Sequence, residues 1–209
     1  MSLKLYGMPL SNYYNMVKTI LIEKGMDFEE VLVKPNQEAG YLSQSPMGKV
    51  PCLETEQGFI TETAVIINYL DALGQGSSFY PADPYGRAKV EELIHYMELY
   101  IELPARRLYG EVFFGREPNE ALREEVRGQL EKGFAALARI ARYEPYIAGS
   151  TLTYADFFFR FSINLATLVA RKALGWDIYN EVAEIKPLMA LMDERESVRR
   201  AMADQQAGN

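Results

Sequence analysis

Apolar and polar positions alternate over the first residues of the chain. Leu3 and Leu5 fall on one side and Lys4 and Tyr6 on the other, which predicts a short strand closed by Gly7, Pro9 and Ser11. The period then becomes that of a helix, with Val17, Ile20 and Leu21 at i, i+3 and i+4 and Gly25 ending the run. Alternation returns from Phe28 to Val33, giving a second strand. Strand, helix, strand in that order predicts a parallel pair joined by a crossover helix. After a loop from Lys34 to Lys49, Val50-Pro51-Cys52-Leu53 reads as a third strand. The turn residues Glu56-Gln57-Gly58 lead to a return strand at Phe59-Ile60, hence a hairpin. Glu62 to Leu73 carries Val65, Ile66, Tyr69, Leu70 and Leu73 on one face and predicts an amphipathic helix.

Gly74-Gln75-Gly76-Ser77-Ser78 and then Pro81-Ala82-Asp83-Pro84 form the strongest linker signal. Composition changes across it, since every arginine lies beyond Ser78. From Tyr85 the long segments all have helical period. Val90, Leu93, Ile94, Met97 and Ile101 make the first, which Pro104 should kink, and Leu122, Val126, Leu130, Phe134 and Leu137 the second. The expected organisation is a thioredoxin-like α/β domain over 1–76, a linker over 77–85 and an all-α helical domain over 86–209.

Charge and cysteine usage narrow the chemistry. The formal net charge is −7 and the pI about 5.0, with no basic run, so a nucleic-acid partner is not expected. One cysteine, Cys52, and one histidine, His95, supply neither an internal disulfide nor a zinc site, and point to a reducing cytoplasmic compartment. No apolar run approaches the ~20 residues of a membrane span, so no membrane partner is expected either. No spaced acidic loop suggests a metal. Cys52 is expected to be buried and inert, and His95 to be a packed or surface residue of a long helix.

Three segments carry possible chemistry. Ser11 stands between the first strand and the first helix, where unpaired amide N–H groups and the helix dipole favour an anion; helix capping alone also explains a serine there. Val50-Pro51 opens a strand and is a candidate for a cis bond, which would turn the Val50 backbone outward to pair with an extended peptide. The alternative is an ordinary trans proline. Thr61-Glu62-Thr63 opens the third helix, where first-turn amides and the Thr63 hydroxyl can hold a carboxylate and Glu62 can accept from an α-amino group. Capping again is the plain alternative.

Taken together and in order, these segments resemble the glutathione transferase family over nearly the whole chain. Leu-Tyr-Gly followed by Ser11, Gly48-Lys49-Val50-Pro51, Glu62-Thr63, the linker and the helical domain carry the likeness. It continues at Ile147 to Asp156, where Thr153 and Asp156 look like the family's buried capping box, a structural device. The resemblance implies glutathione as co-substrate and Ser11 as the residue that hydrogen-bonds its sulfur. It implies Lys49, Val50, Pro51, Glu62 and Thr63 as the residues that hold the tripeptide. Tyr6 falls near the place of the tyrosine used by other classes. Asn12 stands near a position where one bacterial class has a catalytic cysteine, so disulfide-forming chemistry is disfavoured. The implied partner is a hydrophobic electrophile, with Tyr96, Tyr100, Arg106, Arg107, Tyr109 and the Phe157-Phe158-Phe159 and Phe161 cluster as possible walls. A homodimer is implied as well. The competing reading is a non-catalytic binding or protein-interaction module on the same fold.

Overall fold

The computed structural model describes residues 2–207. Its first compact unit runs to Ser78 and takes in the chain again from Asp193; the second spans Phe79–Met192.

The first unit begins with β1 (Lys4–Gly7), α1 (Asn12–Glu23) and β2 (Glu29–Leu32), followed by the short α2 (Ala39–Leu42). A hairpin of β3 (Cys52–Thr55) and β4 (Gly58–Thr61) and the helix α3 (Thr63–Ala72) complete it. The sheet order is β2-β1-β3-β4, with β1 parallel to β2 and antiparallel to β3, and β3 antiparallel to β4. Leu5, Val17, Ile20, Leu21, Leu53, Ile66 and Leu70 are fully buried between sheet and helices, so the apolar periods of sequence are the core of the fold. The third strand begins at Cys52, later than the sequence pattern suggests. Pro51 has no N–H to give to a ladder, so pairing starts just after it.

The last helix corrects the expected boundary at the C-terminal end. The last helix of the described residues, α12 (Glu196–Ala207), belongs to the first unit, whereas the sequence predicts one helical domain over 86–209. Two charged clusters explain this. Arg195 donates to both carboxylate oxygens of Glu23 at 2.8 and 2.7 Å, and Ser197 hydrogen-bonds the same carboxylate. Lys18, only 2% exposed, bonds Asp204 at 2.6 Å. A buried ammonium is costly unless paired, so Lys18 ties the last helix to α1.

The second unit is helical. A long helix runs as α4 (Pro84–Met97), a π-helical turn (Glu98–Glu102) and α5 (Leu103–Arg106). The wide turn lies immediately ahead of Pro104, which lacks the N–H that Tyr100 O would take in a regular helix. That carbonyl faces Gly133, where a Cβ would lie 2.2 Å from it. Next come α6 (Tyr109–Phe114), α7 (Glu120–Ile140), α8 (Tyr154–Phe158), a second π-helical turn (Phe159–Ile163) and α9 (Asn164–Leu174). The short α10 (Ile178–Glu181) and α11 (Ile185–Asp193) close the unit. Asp156 is wholly buried and takes hydrogen bonds from Ile147 N–H at 2.8 Å, Thr153 N–H at 2.7 Å and Thr153 Oγ1 at 3.0 Å. It holds the start of α8, as the capping-box pattern predicts.

Candidate functional site

Register places the three sequence segments at one end of the sheet. Tyr6 pairs with Cys52, and Cys52 pairs with Thr61, so these residues form a row across β1, β3 and β4. Leaving that row, β1 runs on to Ser11, β3 is entered from Lys49-Val50-Pro51, and β4 runs on to Glu62-Thr63. Neighbouring strands are about 4.8 Å apart, so the three segments span ~10 Å, close to the length of an extended tripeptide.

Ser11 is the N-cap of α1. Its Oγ accepts from Tyr14 N–H at 3.2 Å and its carbonyl accepts from Asn15 N–H at 3.0 Å, while its own N–H donates to Met8 O at 2.9 Å. Asn15 Nδ2 holds Pro9 O at 2.8 Å, fixing the loop that enters the helix. Ser11 Oγ uses a lone pair in capping, which leaves its proton available for donation. Capping and ligand contact are therefore compatible roles for one hydroxyl.

Tyr6 faces elsewhere. Leu5 and Gly7 are buried, whereas Lys4 and Tyr6 lie on the opposite, half-exposed face of the sheet. The phenol donates to Glu54 Oε2 at 2.5 Å, and its ring meets Phe59 edge-on. That hydrogen bond, with burial and the Glu54 charge, pushes the phenol up to about 12.

Val50–Pro51 is cis. Val50 is half-buried and Pro51 buried, and both lie just outside the β3 ladder. Lys49 is exposed, and its carbonyl accepts from Tyr41 OH and Ser45 Oγ, each at 2.8 Å, so the approach to the proline is fixed from behind. Gly48 has φ +62°, and a Cβ there would lie 2.0 Å from Asn36 O, so only glycine suits this turn.

Glu62 caps α3 with φ +67° and ψ 117°. A left-handed φ on a non-glycine costs on the order of 1–3 kcal/mol and persists where the surroundings enforce it. The exposed Glu62 side chain and the buried Thr63 thus stand at the entry of a helix whose first amides point outward. Nothing in residue type or spacing signals this backbone strain at Glu62.

Other residues singled out in sequence fall into structural roles. Cys52 is fully buried and its thiol is pushed up to about 11, chiefly by burial and then by Glu54. His95 is exposed, 3.7 Å from Glu98. Phe157, Phe158, Phe159 and Phe161 are buried and belong to the core of the helical unit. Tyr96 and Tyr100 pack edge-on and line a hollow of about 510 Å³ with Pro104, Lys132 and Gly133. Arg106 bonds Glu102 and lies over the Tyr109 ring, and Arg107 is paired with Glu125. Among the described residues no group of His, Cys, Asp or Glu is arranged to hold a metal, and no helix is long and apolar enough to cross a membrane.

Comparison with known proteins adds to this geometry. A family model described as "Glutathione S-transferase, N-terminal domain" matches residues 5–78, and one described as "Glutathione S-transferase, C-terminal domain" matches residues 78–192. A glutathione S-transferase of Pseudomonas putida is 48% identical over 205 residues, covering 98% of this chain and 93% of that protein. Glutathione S-transferase 3 of Zea mays is 32% identical over 165 residues, covering 74% and 73%. Among solved structures, glutathione transferase F7 from Populus trichocarpa matches with a TM-score of 0.79 at 21% identity over 97% of this chain and 99% of that one, a likeness of fold.

Proposed function

This chain belongs to the glutathione S-transferase family, with glutathione as its co-substrate, and on that premise we propose that Ser11 activates the glutathione thiol for attack on a hydrophobic electrophile. In this reading Lys49, Val50, Pro51, Glu62 and Thr63 hold the tripeptide. Val50, just outside the β3 ladder, pairs with the peptide backbone as an added strand would. The first amides of α3 and the Thr63 hydroxyl take the γ-glutamyl carboxylate, and Glu62 takes the ammonium beside it. The observation that carries this reading is the Tyr6–Cys52–Thr61 row, which brings all three segments to one end of the sheet.

A free thiol has a pKa of ~8.5, so only a few per cent is thiolate near neutrality. Lowering it by about two units needs roughly 2.7 kcal/mol of selective stabilisation. A hydrogen bond to a charged group supplies about 1.5–3 kcal/mol and a helix terminus about 0.3–1. Ser11 at the start of a twelve-residue helix offers both without ionising. The thiol proton leaves to solvent, the sulfur forms a bond to the electrophilic carbon, and the displaced group departs with the bonding pair.

The protein acts in this reading as a cytoplasmic homodimer. Retention on immobilised glutathione, followed by conjugation of a small aryl halide, tests the function. A protein that is retained and releases halide supports it; one that releases no halide, whether or not it is retained, behaves as the non-catalytic binding or interaction module.

A further inference from the structure

The residues behind Ser11 form a continuous hydrogen-bonded chain. Tyr14, whose N–H donates to Ser11 Oγ, is fully buried, and its phenol donates to Glu30 Oε2 at 2.5 Å. Lys18 lies one turn on, on the same face of α1, and bonds both Glu30 oxygens at 2.8 and 2.6 Å. It also bonds Asp204 of α12 at 2.6 Å. Glu30 pairs in register with Leu5, so it shares the sheet face that α1 covers. Gly7 lies so close to the ring that a Cβ there would come within 2.2 Å of Tyr14 Cδ2.

First turns of helices fray readily, because few buried contacts hold them. Here the first turn is held through Tyr14, wedged against Gly7 and tied to Glu30. Burial, followed by the Glu30 bond, pushes the Tyr14 phenol far up, so it remains a donor. With Ser11 Oγ accepting from Tyr14 N–H, its proton is left to donate to another group.

We propose that Tyr14, Glu30, Lys18 and Asp204 are positioning residues that fix the Ser11 hydroxyl for donation to the glutathione sulfur. This rests on Ser11 as the thiol's donor, and it adds a role for the C-terminal helix in setting thiol acidity.

The test is a cycle on the pKa of the enzyme-bound glutathione thiol, read from thiolate ultraviolet absorbance. Tyr14→Phe keeps the ring and removes the bond to Glu30. It should lower the ratio of thiolate to thiol about threefold, a shift of ~0.5 unit, without changing affinity for S-methylglutathione, which has no thiol to ionise. In a Ser11→Ala background the same change should have no further effect. Asp204→Asn, at a partly exposed position and with Glu30 still paired to Lys18, should shift the pKa in the same direction by less. An equal Tyr14→Phe shift in both backgrounds overturns the positioning role and leaves the Ser11 reading intact. So does an unshifted thiol in both Tyr14→Phe and Asp204→Asn, or weaker S-methylglutathione binding in Tyr14→Phe, which marks a purely structural role. An unshifted thiol in Ser11→Ala alone overturns the Ser11 reading, and the positioning role falls with it.

Discussion

The phenol of Tyr6 is committed to Glu54 at 2.5 Å on the half-exposed face of the sheet, whereas Leu5 beside it faces the core. Tyr6 and Ser11 are five residues apart, and sequence alone allows either as the thiol's donor. The hydrogen bond raises the phenol to about 12 and occupies its proton. Ser11→Ala should therefore lower conjugation at least about tenfold, roughly one hydrogen bond of ~1.4 kcal/mol. Tyr6→Phe should leave turnover unchanged. Steady-state rates for the two variants decide between them, and the reverse pattern would move the role to Tyr6.

Glu62 and Ser11 should separate kinetically. Glu62→Gln removes the negative charge proposed to pair with the γ-glutamyl ammonium and should weaken glutathione binding by about thirtyfold, ~2 kcal/mol, the low end for breaking one side of such a pair. The pKa of the thiol that still binds should stay where it was. Calorimetric titration with glutathione checks the affinity; an unchanged Kd would mean that Glu62 only caps α3.

Asp156 gives a pH-dependent signature in the helical unit. Burial pushes its carboxyl up to about 6, with the hydrogen bonds from Ile147 and Thr153 offsetting part of the rise. The unfolded value is ~3.9, so between the two the native state holds the proton more tightly and stability falls as pH rises. The effect amounts to about 3 kcal/mol for two units, complete above the native pKa. Asp156→Asn has no such proton. Urea unfolding of both proteins should show the wild-type advantage shrinking from about pH 4 to about pH 6 and flat beyond. An advantage that grows across that window would place the native pKa below the unfolded one.

Gly133 and Gly128, on the same helix, should respond oppositely to alanine. At Gly133 the new Cβ meets Tyr100 O at 2.2 Å, a backbone atom that cannot swing away. Overpacking of this kind costs about 1–3 kcal/mol, more than the helix propensity gained. At Gly128 nothing lies within 4 Å, so alanine should stabilise by up to ~1 kcal/mol. Denaturation midpoints moving the same way in both variants would contradict this packing of α7 against the π-helical turn.

Strands β1, β2 and β4 and helices α1 and α3 are legible because each has a clean period, whereas the four-residue α2 falls inside the loop expected from Lys34 to Lys49. Leu3 and Leu5 alternate, Val17, Ile20 and Leu21 follow a helix, and Ile66 and Leu70 are buried where their spacing puts them. The start of β3 was misread by two residues, because Val50 and Pro51 look strand-like while proline cannot join the ladder. The partner of α12 was not legible. Periodicity names the buried face of a helix but not what covers it, and the ties of Arg195 to Glu23 and Lys18 to Asp204 join residues more than 170 positions apart. At the candidate site Ser11, Val50-Pro51 and Glu62-Thr63 could be named from residue type and order. The strained φ of Glu62 and the Tyr14–Glu30–Lys18 chain depend on backbone conformation and long-range packing, which no local pattern encodes.

The most direct test of Ser11 as the activating residue is the ultraviolet titration of bound glutathione in wild-type and Ser11→Ala protein. Wild type should hold the thiol about two units below its free value of ~8.5, and Ser11→Ala should raise it by about one unit or more while glutathione still binds. The same low pKa in both proteins would contradict the account.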